Sequence, residues 1–214
     1  MSNELHFNII DQFFKSNSLV EHHIKSVNYF YENDFKKVLM DLNPITYENQ
    51  LFESSNTYKN SMELYFGGKD GRKIYYGKPI INENGKQKFL YPNEARLRNM
   101  TYSISVHVDI EIYVTTYHKI SENEIDVQYP HRYKYTIPKY YLGNFPIMLN
   151  SKLCILSGLQ QNEKYHLGEC HHDYGGYFII DGKEKALIPQ EAFANNMMYI
   201  RKVKDNIHDY SVEI

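Results

Sequence analysis

From Tyr102 to Val114 apolar and polar positions alternate without a break. Tyr102, Ile104, Val106, Val108, Ile110, Ile112 and Val114 fall on one side, and Ser103, Ser105, His107, Asp109, Glu111 and Tyr113 on the other. Period two over this length predicts a long strand with one buried and one wet face, as in an antiparallel sheet. A second pattern has helical spacing: Val20, Ile24, Val27, Tyr31, Phe35, Val38 and Leu42, with polar residues between. It predicts a helix of about 24 residues with its apolar stripe on the core. Ser18, three residues before Glu21, supplies a capping-box start, and Pro44 the stop. Leu5, Phe7, Ile9, Ile10, Phe13 and Phe14 predict a shorter helix ahead of it.

The remaining patterns are shorter. Residues 44–60 are polar and irregular and read as a loop with room for a short helical piece. Met62–Phe66 reads as a strand, Gly67–Gly71 as a turn, and Ile74–Tyr76 with Pro79–Ile81 as one strand bent at Gly77. Asn84-Gly85 signals a hairpin, with Lys88–Tyr91 following. Ile120–Asn123 reads as a loop, and Glu124–Tyr129 and Tyr133–Ile137 as two strands parted by Pro130. Leu153–Leu156 reads as a short element, Asn162–Gly168 as a polar, helical connector, Ala192–Asn196 as a helical turn, Met197–Val203 as a last strand and Asp205–Tyr210 as a loop. The stretch Asp173–Glu191 is the most informative. Gly175-Gly176 marks a close backbone approach, and Asp181-Gly182 is a type I′ hairpin signal between Tyr177–Ile180 and Ala186–Ile188. Lys183, Glu184 and Lys185 predict a wet, charged tip. The expected class is α+β, N-terminal helices packed on a mainly antiparallel sheet, over residues 1–214 as one domain.

Charge narrows the function. The chain carries 24 basic and 26 acidic residues, whereas autonomous nucleic-acid binders carry a basic excess. Its two cysteines in 214 residues read as reduced thiols and not as a disulfide framework. No apolar run approaches the roughly 18 residues that span a bilayer, and the first residues lack a signal-peptide pattern. A soluble, intracellular protein with no membrane partner is the expectation.

Three blocks carry a family resemblance. Gly175-Gly-Tyr-Phe-Ile-Ile-Asp-Gly-Lys-Glu-Lys-Ala-Leu-Ile-Pro-Gln-Glu191, Tyr91-Pro-Asn-Glu-Ala-Arg-Leu-Arg-Asn-Met-Thr-Tyr102 and Tyr141-Leu-Gly-Asn-Phe-Pro-Ile-Met-Leu-Asn-Ser-Lys152 resemble, in order and spacing, blocks of the second-largest, β-like subunit of multisubunit DNA-directed RNA polymerases. The eukaryotic, archaeal and large-DNA-virus versions are the most similar; residues 19–42 add a weaker match. The resemblance implies the protrusion, an α+β domain at the start of that subunit, incomplete here, with the start of the lobe near the C-terminus. It implies partners: the largest subunit, other polymerase subunits, template DNA and nascent RNA. It implies nucleotidyl transfer with Mg²⁺ bound by another subunit, and neither a catalytic residue nor a metal in this chain. The localisation implied is nucleus, viral factory or virion. The matching hairpin lies on the wall of the family's cleft, so Lys183, Lys185, Ile188 and Gln190 become candidates to face nucleic acid. Three residues depart from the family pattern: Asp181 stands for Asn, Lys183 for a small residue, and Pro189 removes a backbone donor, which unsettles the pairing around 188–190. The alternative is a free-standing protein-interaction domain that keeps the fold.

Two constellations read both ways. Glu94, Arg96 and Arg98, on one face if extended, could contact phosphate or brace two strands; with an acid among them the brace is favoured, and both arginines stay as cleft candidates. Cys154, His166, Cys170, His171 and His172 lack the close ligand pairs of a structural zinc site, and neither cysteine sits on a nucleophile turn. No phosphate-binding glycine loop is present.

Overall fold

The alternating run lies in β6 (Ser103–Ser121), and everything else is arranged on it. The computed structural model describes residues 2–52, 57–121, 124–192, 194, 196–204 and 208–213. Along one edge β6 pairs first with β2 (Thr57–Phe66) and then with β3 (Ile74–Tyr76). Along the other it pairs with β7 (Glu124–Pro146), and β1 (Ile45–Phe52) adds to β2. Every pair is antiparallel, and the five strands make one sheet. Tyr102, Ile104, Val106, Val108 and Ile110 are each at most 6% exposed. Burying such side chains contributes roughly 1.5–3 kcal/mol each. The core they build takes in Ile147, Leu149, Cys154, Leu156 and Ile179 from later segments.

The face expected to be wet is partly closed. Asp109 and Glu111 are buried. The glycine turn between β2 and β3 folds over this point: the Gly67 amide donates to the Asp109 carbonyl at 2.8 Å, and the Asp109 amide to Lys73 at 3.1 Å. Opposite, β7 carries a bulge, since Val108 faces Tyr140 while Ile110 faces Ile137. The Asp109 carboxylate accepts from the Lys139 amide at that bulge, 2.9 Å, and from the Tyr75 hydroxyl, 3.3 Å. Glu111 accepts from Lys73 Nζ at 2.6 Å and the Tyr113 hydroxyl at 2.8 Å, with Lys134 Nζ at 3.3 Å. The Lys73 hydrogen bond, with Tyr113 and Lys134 behind it, outweighs desolvation and holds the Glu111 carboxyl down at about 2.

The long helix forms with a flaw in it. It runs as α2 (Glu21–Tyr29), a π-helical turn (Phe30–Asp34) and α3 (Phe35–Leu42). The wider turn shifts the phase by about one residue, so Leu39 is buried and the expected Val38 and Leu42 are exposed. No side-chain cap forms at its start; Ser18 Oγ only accepts a 3.4 Å bond from the Val20 amide. A capping box does form at α5 (Gln161–His166), between Gln160 and Glu163. The π turn and α3 sit on the sheet. The Tyr31 hydroxyl donates to the Pro146 carbonyl at 3.0 Å, and Tyr76 donates to the Tyr31 carbonyl at 2.8 Å. The Asn43 carboxamide pairs with both backbone groups of Phe66, each at 2.8 Å, as a neighbouring strand would. The first helix, α1 (Ser2–Ser16), was expected to pack too, but Leu5, Phe7, Ile9, Ile10, Phe13 and Phe14 are all exposed.

Three loop expectations give way to strands. Residues 44–60 supply β1 and the start of β2, because polar side chains on both faces hide the strand signal while the ladder from Ile45↔Leu64 to Phe52↔Thr57 satisfies the backbone. Pro130 does not divide the next strand; it falls where the β6–β7 ladder changes register between Thr116 and His118, so no donor is missed. Ile120 and Ser121 still belong to β6, while 122 and 123 lie outside the described residues. The bent strand at Gly77 is instead two, β3 and β4 (Ile80–Glu83), the latter forming the Asn84-Gly85 hairpin with β5 (Lys86–Phe89). Leu153–Leu156 is a run of turns, the described residues of 192–196 show no helix, and 205–207 lie outside the described residues. The chain's last pair is β10 (Tyr199–Lys202) with β11 (Tyr210–Glu213).

Candidate nucleic-acid interface

The segment Pro92–Leu97 is helical, α4, not extended. Tyr91 enters in β conformation and Pro92 takes the first helical position, where its missing N–H costs nothing. The helical turn separates the expected trio. Glu94 and Arg98, four apart, pair at 2.7 Å. Arg98 also reaches Glu83 at 3.2 Å, and Lys88 bridges Glu83 and Glu94 at 2.6 and 2.9 Å. This network fastens the β4–β5 hairpin to α4.

Arg96 turns the other way and becomes a hub. Its Nη1 donates to both carboxylate oxygens of Glu169 at 3.1 and 2.9 Å, its Nε to Glu184 at 2.7 Å, and its Nη2 to the Tyr177 hydroxyl at 2.7 Å. Asp173 lies 3.6 Å from Nη2 and accepts from Tyr177 at 2.5 Å. The Arg96 side chain is 19% exposed and Glu169 is 3%. Burial works against the guanidinium charge, but Glu169 and then Tyr177 hold its pKa above the ordinary value. Burial lifts the Glu169 carboxyl, with Arg96 pulling it back down.

The backbone explains why these groups meet. The Tyr102 amide donates to Ile179 at 2.9 Å, and Ile147 donates to Tyr102 at 3.1 Å. Leu149 donates to Tyr177 at 2.9 Å, and Gly176 to Leu149 at 3.1 Å. All three sequence blocks therefore close on one junction. A Cβ on Gly175 would stand 2.6 Å from the Leu149 carbonyl, and one on Gly176 would stand 2.7 Å from Val20, so only glycine permits the approach.

The hairpin itself is β8 (Phe178–Ile180) and β9 (Lys183–Lys185), joined by Asp181 (φ 50°) and Gly182 (φ 72°) in the expected turn. Lys183, Glu184 and Lys185 are exposed, as expected of a wet, charged tip, while the turn itself is docked by its backbone. The Gly182 amide donates to Met100 at 3.0 Å, and the Asp181 amide and carboxylate exchange hydrogen bonds with the Thr101 hydroxyl, each at 3.1 Å. Strand alternation then sorts the charges. Glu184 stands opposite buried Ile179, on the side of Arg96, while Lys183 and Lys185 stand opposite Ile180 and Phe178 on the other face. Both lysines are exposed, and neither makes an ion pair among the described residues. β9 stops at Lys185. The apolar run Ala186–Ile188, expected as strand, is irregular and open, with Ile188 82% exposed. Pro189 cannot donate to a ladder, and among the described residues no strand pairs with this segment. Gln190 is exposed on the same segment.

The structure thus brings Arg96 to the hairpin with its charge already matched, keeps Arg98 in a separate ion-pair network, and leaves Lys183, Lys185, Ile188 and Gln190 open. Glu169, Asp173, Tyr177 and Glu184, the partners of Arg96, were not singled out as a set in the sequence. Of the zinc constellation, Cys154 is in the core, 3.5 Å from the Tyr102 hydroxyl, and Cys170 is exposed. His171 stacks on Tyr165 at 4.3 Å. No cluster of three or more His, Cys, Asp or Glu among the described residues has metal-holding geometry. No described helix is long and apolar enough to cross a membrane.

The family model for the RNA polymerase beta subunit matches residues 18–211, a span that contains the junction, the hairpin and the whole sheet. The chain belongs to that family. Among its relatives, the DNA-directed RNA polymerase II subunit RPB2 of Eremothecium gossypii is 34% identical over 201 residues, covering 91% of this chain and 16% of the relative. The RPB2 of Meyerozyma guilliermondii is 36% identical over 200 residues, with the same coverage. The archaeal subunit Rpo2N of Methanothermobacter thermautotrophicus is 32% identical over 196 residues, covering 91% of this chain and 32% of the relative. The chain corresponds to the N-terminal region of the second-largest polymerase subunit, and spans 16% of the RPB2 relatives it matches. In this family the α+β reading holds, and the helices to which it applies are α2 and α3.

Proposed function

We propose that the chain serves as the N-terminal part of the second-largest subunit of a DNA-directed RNA polymerase and forms part of the wall of the cleft through which DNA-templated transcription runs. Its partners are then the largest subunit, the other polymerase subunits, template DNA and nascent RNA. The observation that carries the reading is the junction. Three blocks far apart in sequence lock around Arg96 and Tyr102, and hold one hairpin with Lys183 and Lys185 on its free face. Counterion release makes such unpaired lysines the natural contacts for a phosphate backbone. Arg96 acts in this reading as the brace of that hairpin, and Arg98 as a brace of the β4–β5 hairpin.

The chemistry of ribonucleotide joining belongs to the assembled enzyme. Its Mg²⁺ would be held by another subunit, because the buried acids here are already matched: Glu111 by lysines, Glu169 by arginine, Asp109 by a backbone amide. Transcript elongation by reconstituted enzyme tests the role of the hairpin. Lys185→Ala and Gln190→Ala should each slow elongation or shorten the life of the complex by about threefold or more, within the range for loss of one phosphate or polar contact. Ser103→Ala, on the sheet, should leave both unchanged. Equal effects at all three positions would reduce the hairpin to scaffold.

A further inference from the structure

A second concave site shares no residue with the hairpin. It is a cleft of about 420 Å³ between the π-helical turn, β3 and the turn at 151–153, within the size range of ligand-binding pockets. Its floor is Tyr31, Ile74, Tyr76 and Leu153. The two tyrosine hydroxyls have no hydrogen left to donate to a ligand, because each already donates to a backbone carbonyl. The floor therefore offers mainly carbon and ring surface, with no free hydroxyl donor. Its rim is different in kind: Lys36, Arg72 and Lys152 against a single acid, Glu32. Glu32 is committed to Lys152, and Arg72 has only a 3.7 Å contact with exposed Asp70. Lys36 makes no ion pair among the described residues.

We infer that this cleft docks an apolar or aromatic side chain carried on an acidic segment of a partner protein. An apolar floor that presents no hydrogen-bond donor favours a side-chain anchor over a base, whose edge would lose its partners on burial. A rim with an excess of cations favours acidic flanks, and steers them by complementarity. Lys36 and Lys152 stand as separate point charges, suited to successive carboxylates along a peptide. Asn28, Tyr31, Glu32 and Lys36 line this cleft from the helical run that the π turn interrupts, and such turns recur at functional sites. Glu32 then acts as an internal competitor: while it holds Lys152, that lysine is less available to an incoming carboxylate.

The test uses the tagged chain in whatever assembly it forms, purified from its source, and a fluorescein-labelled peptide of Asp and Glu around one Phe. Anisotropy should show saturable binding that weakens as salt rises. Lys36→Glu and Lys152→Glu should each weaken it by about tenfold, as for loss of a complementary rim charge. Glu32→Gln should tighten it by roughly threefold, a gain that misfolding cannot produce. The same peptide with Ser for Phe should bind at least about tenfold more weakly, since the anchor carries the apolar burial. Absence of binding, indifference to Phe, no response to the charge reversals, or weakening by Glu32→Gln would each overturn the proposal. Displacement of the peptide by equimolar UTP would assign the cleft to a nucleotide and overturn it as well.

Discussion

Arg96 shows how one side chain can hold three segments without being a contact residue. Its guanidinium makes four hydrogen bonds, two to Glu169 and one each to Glu184 and Tyr177, with Asp173 alongside, so its removal strands Glu169 in a buried place. Breaking such a pair from one side costs roughly 3 kcal/mol. Arg96→Met should lower the stability of the chain by that order in urea denaturation, and Glu169→Leu in the same chain should restore part of it by removing the orphaned charge. No recovery in the double variant would contradict the hub. Glu111 adds a pH signature. Its folded pKa, about 2, is depressed from the ordinary 4.5, so the stability it contributes is complete above about pH 4.5 and fades as pH falls through about 2. Denaturation of the parent and Glu111→Gln should therefore differ at pH 7 and converge near pH 2. A constant gap across that window would mean that Glu111 is not the buried, lysine-held carboxylate described above.

At the scale of elements, the parts with a strong local period were legible and the parts shaped by neighbours were not. The β6 alternation named its core face residue by residue, and Asp181-Gly182 named its turn. The long helix departs from its expected stripe after Phe35, because a π turn is an extra residue that no apolar period announces. β1 was invisible because its side chains are mixed on both faces and only the partner ladder makes it a strand. The buried Asp109 answers a bulge in a strand thirty residues away, which a reading of β6 alone cannot contain. The docked hairpin turn is of the same kind: nothing local says that Gly182 meets α4. It does so closely, since a Cβ there would stand 2.9 Å from the Arg96 carbonyl and 2.7 Å from Asn99 Cα, at a φ of 72°. Gly182→Ala should cost roughly 2 kcal/mol from backbone strain and overpacking together. Thermal unfolding checks it, and Gly85→Ala, at φ 75° with open space around the added Cβ, separates the packing part from the strain part.

For the whole molecule, the near balance of 24 basic and 26 acidic residues is informative once the structure shows where the cations go. Two of the five arginines, Arg96 and Arg98, are matched by Glu169, Glu184, Glu94 and Glu83, and the lysines of the hairpin are left facing out. A chain so arranged has little general pull on DNA, and the proposed contact is confined to one exposed hairpin, which suits a part of a larger machine better than an autonomous binder. Family membership and the resemblance of the blocks both assign the chain to the start of the second-largest subunit, and the candidate contacts at Lys183, Lys185, Ile188 and Gln190 come from that resemblance, with all four side chains exposed. The most direct measurement is affinity purification of the tagged chain from its source under native conditions, with the co-purifying proteins identified by mass spectrometry. The account predicts recovery of a largest RNA polymerase subunit in near-equal amount, in a fraction that transcribes a DNA template. Recovery of the chain free of any polymerase subunit, at physiological salt and in a stable folded form, would contradict it and favour a free-standing interaction domain.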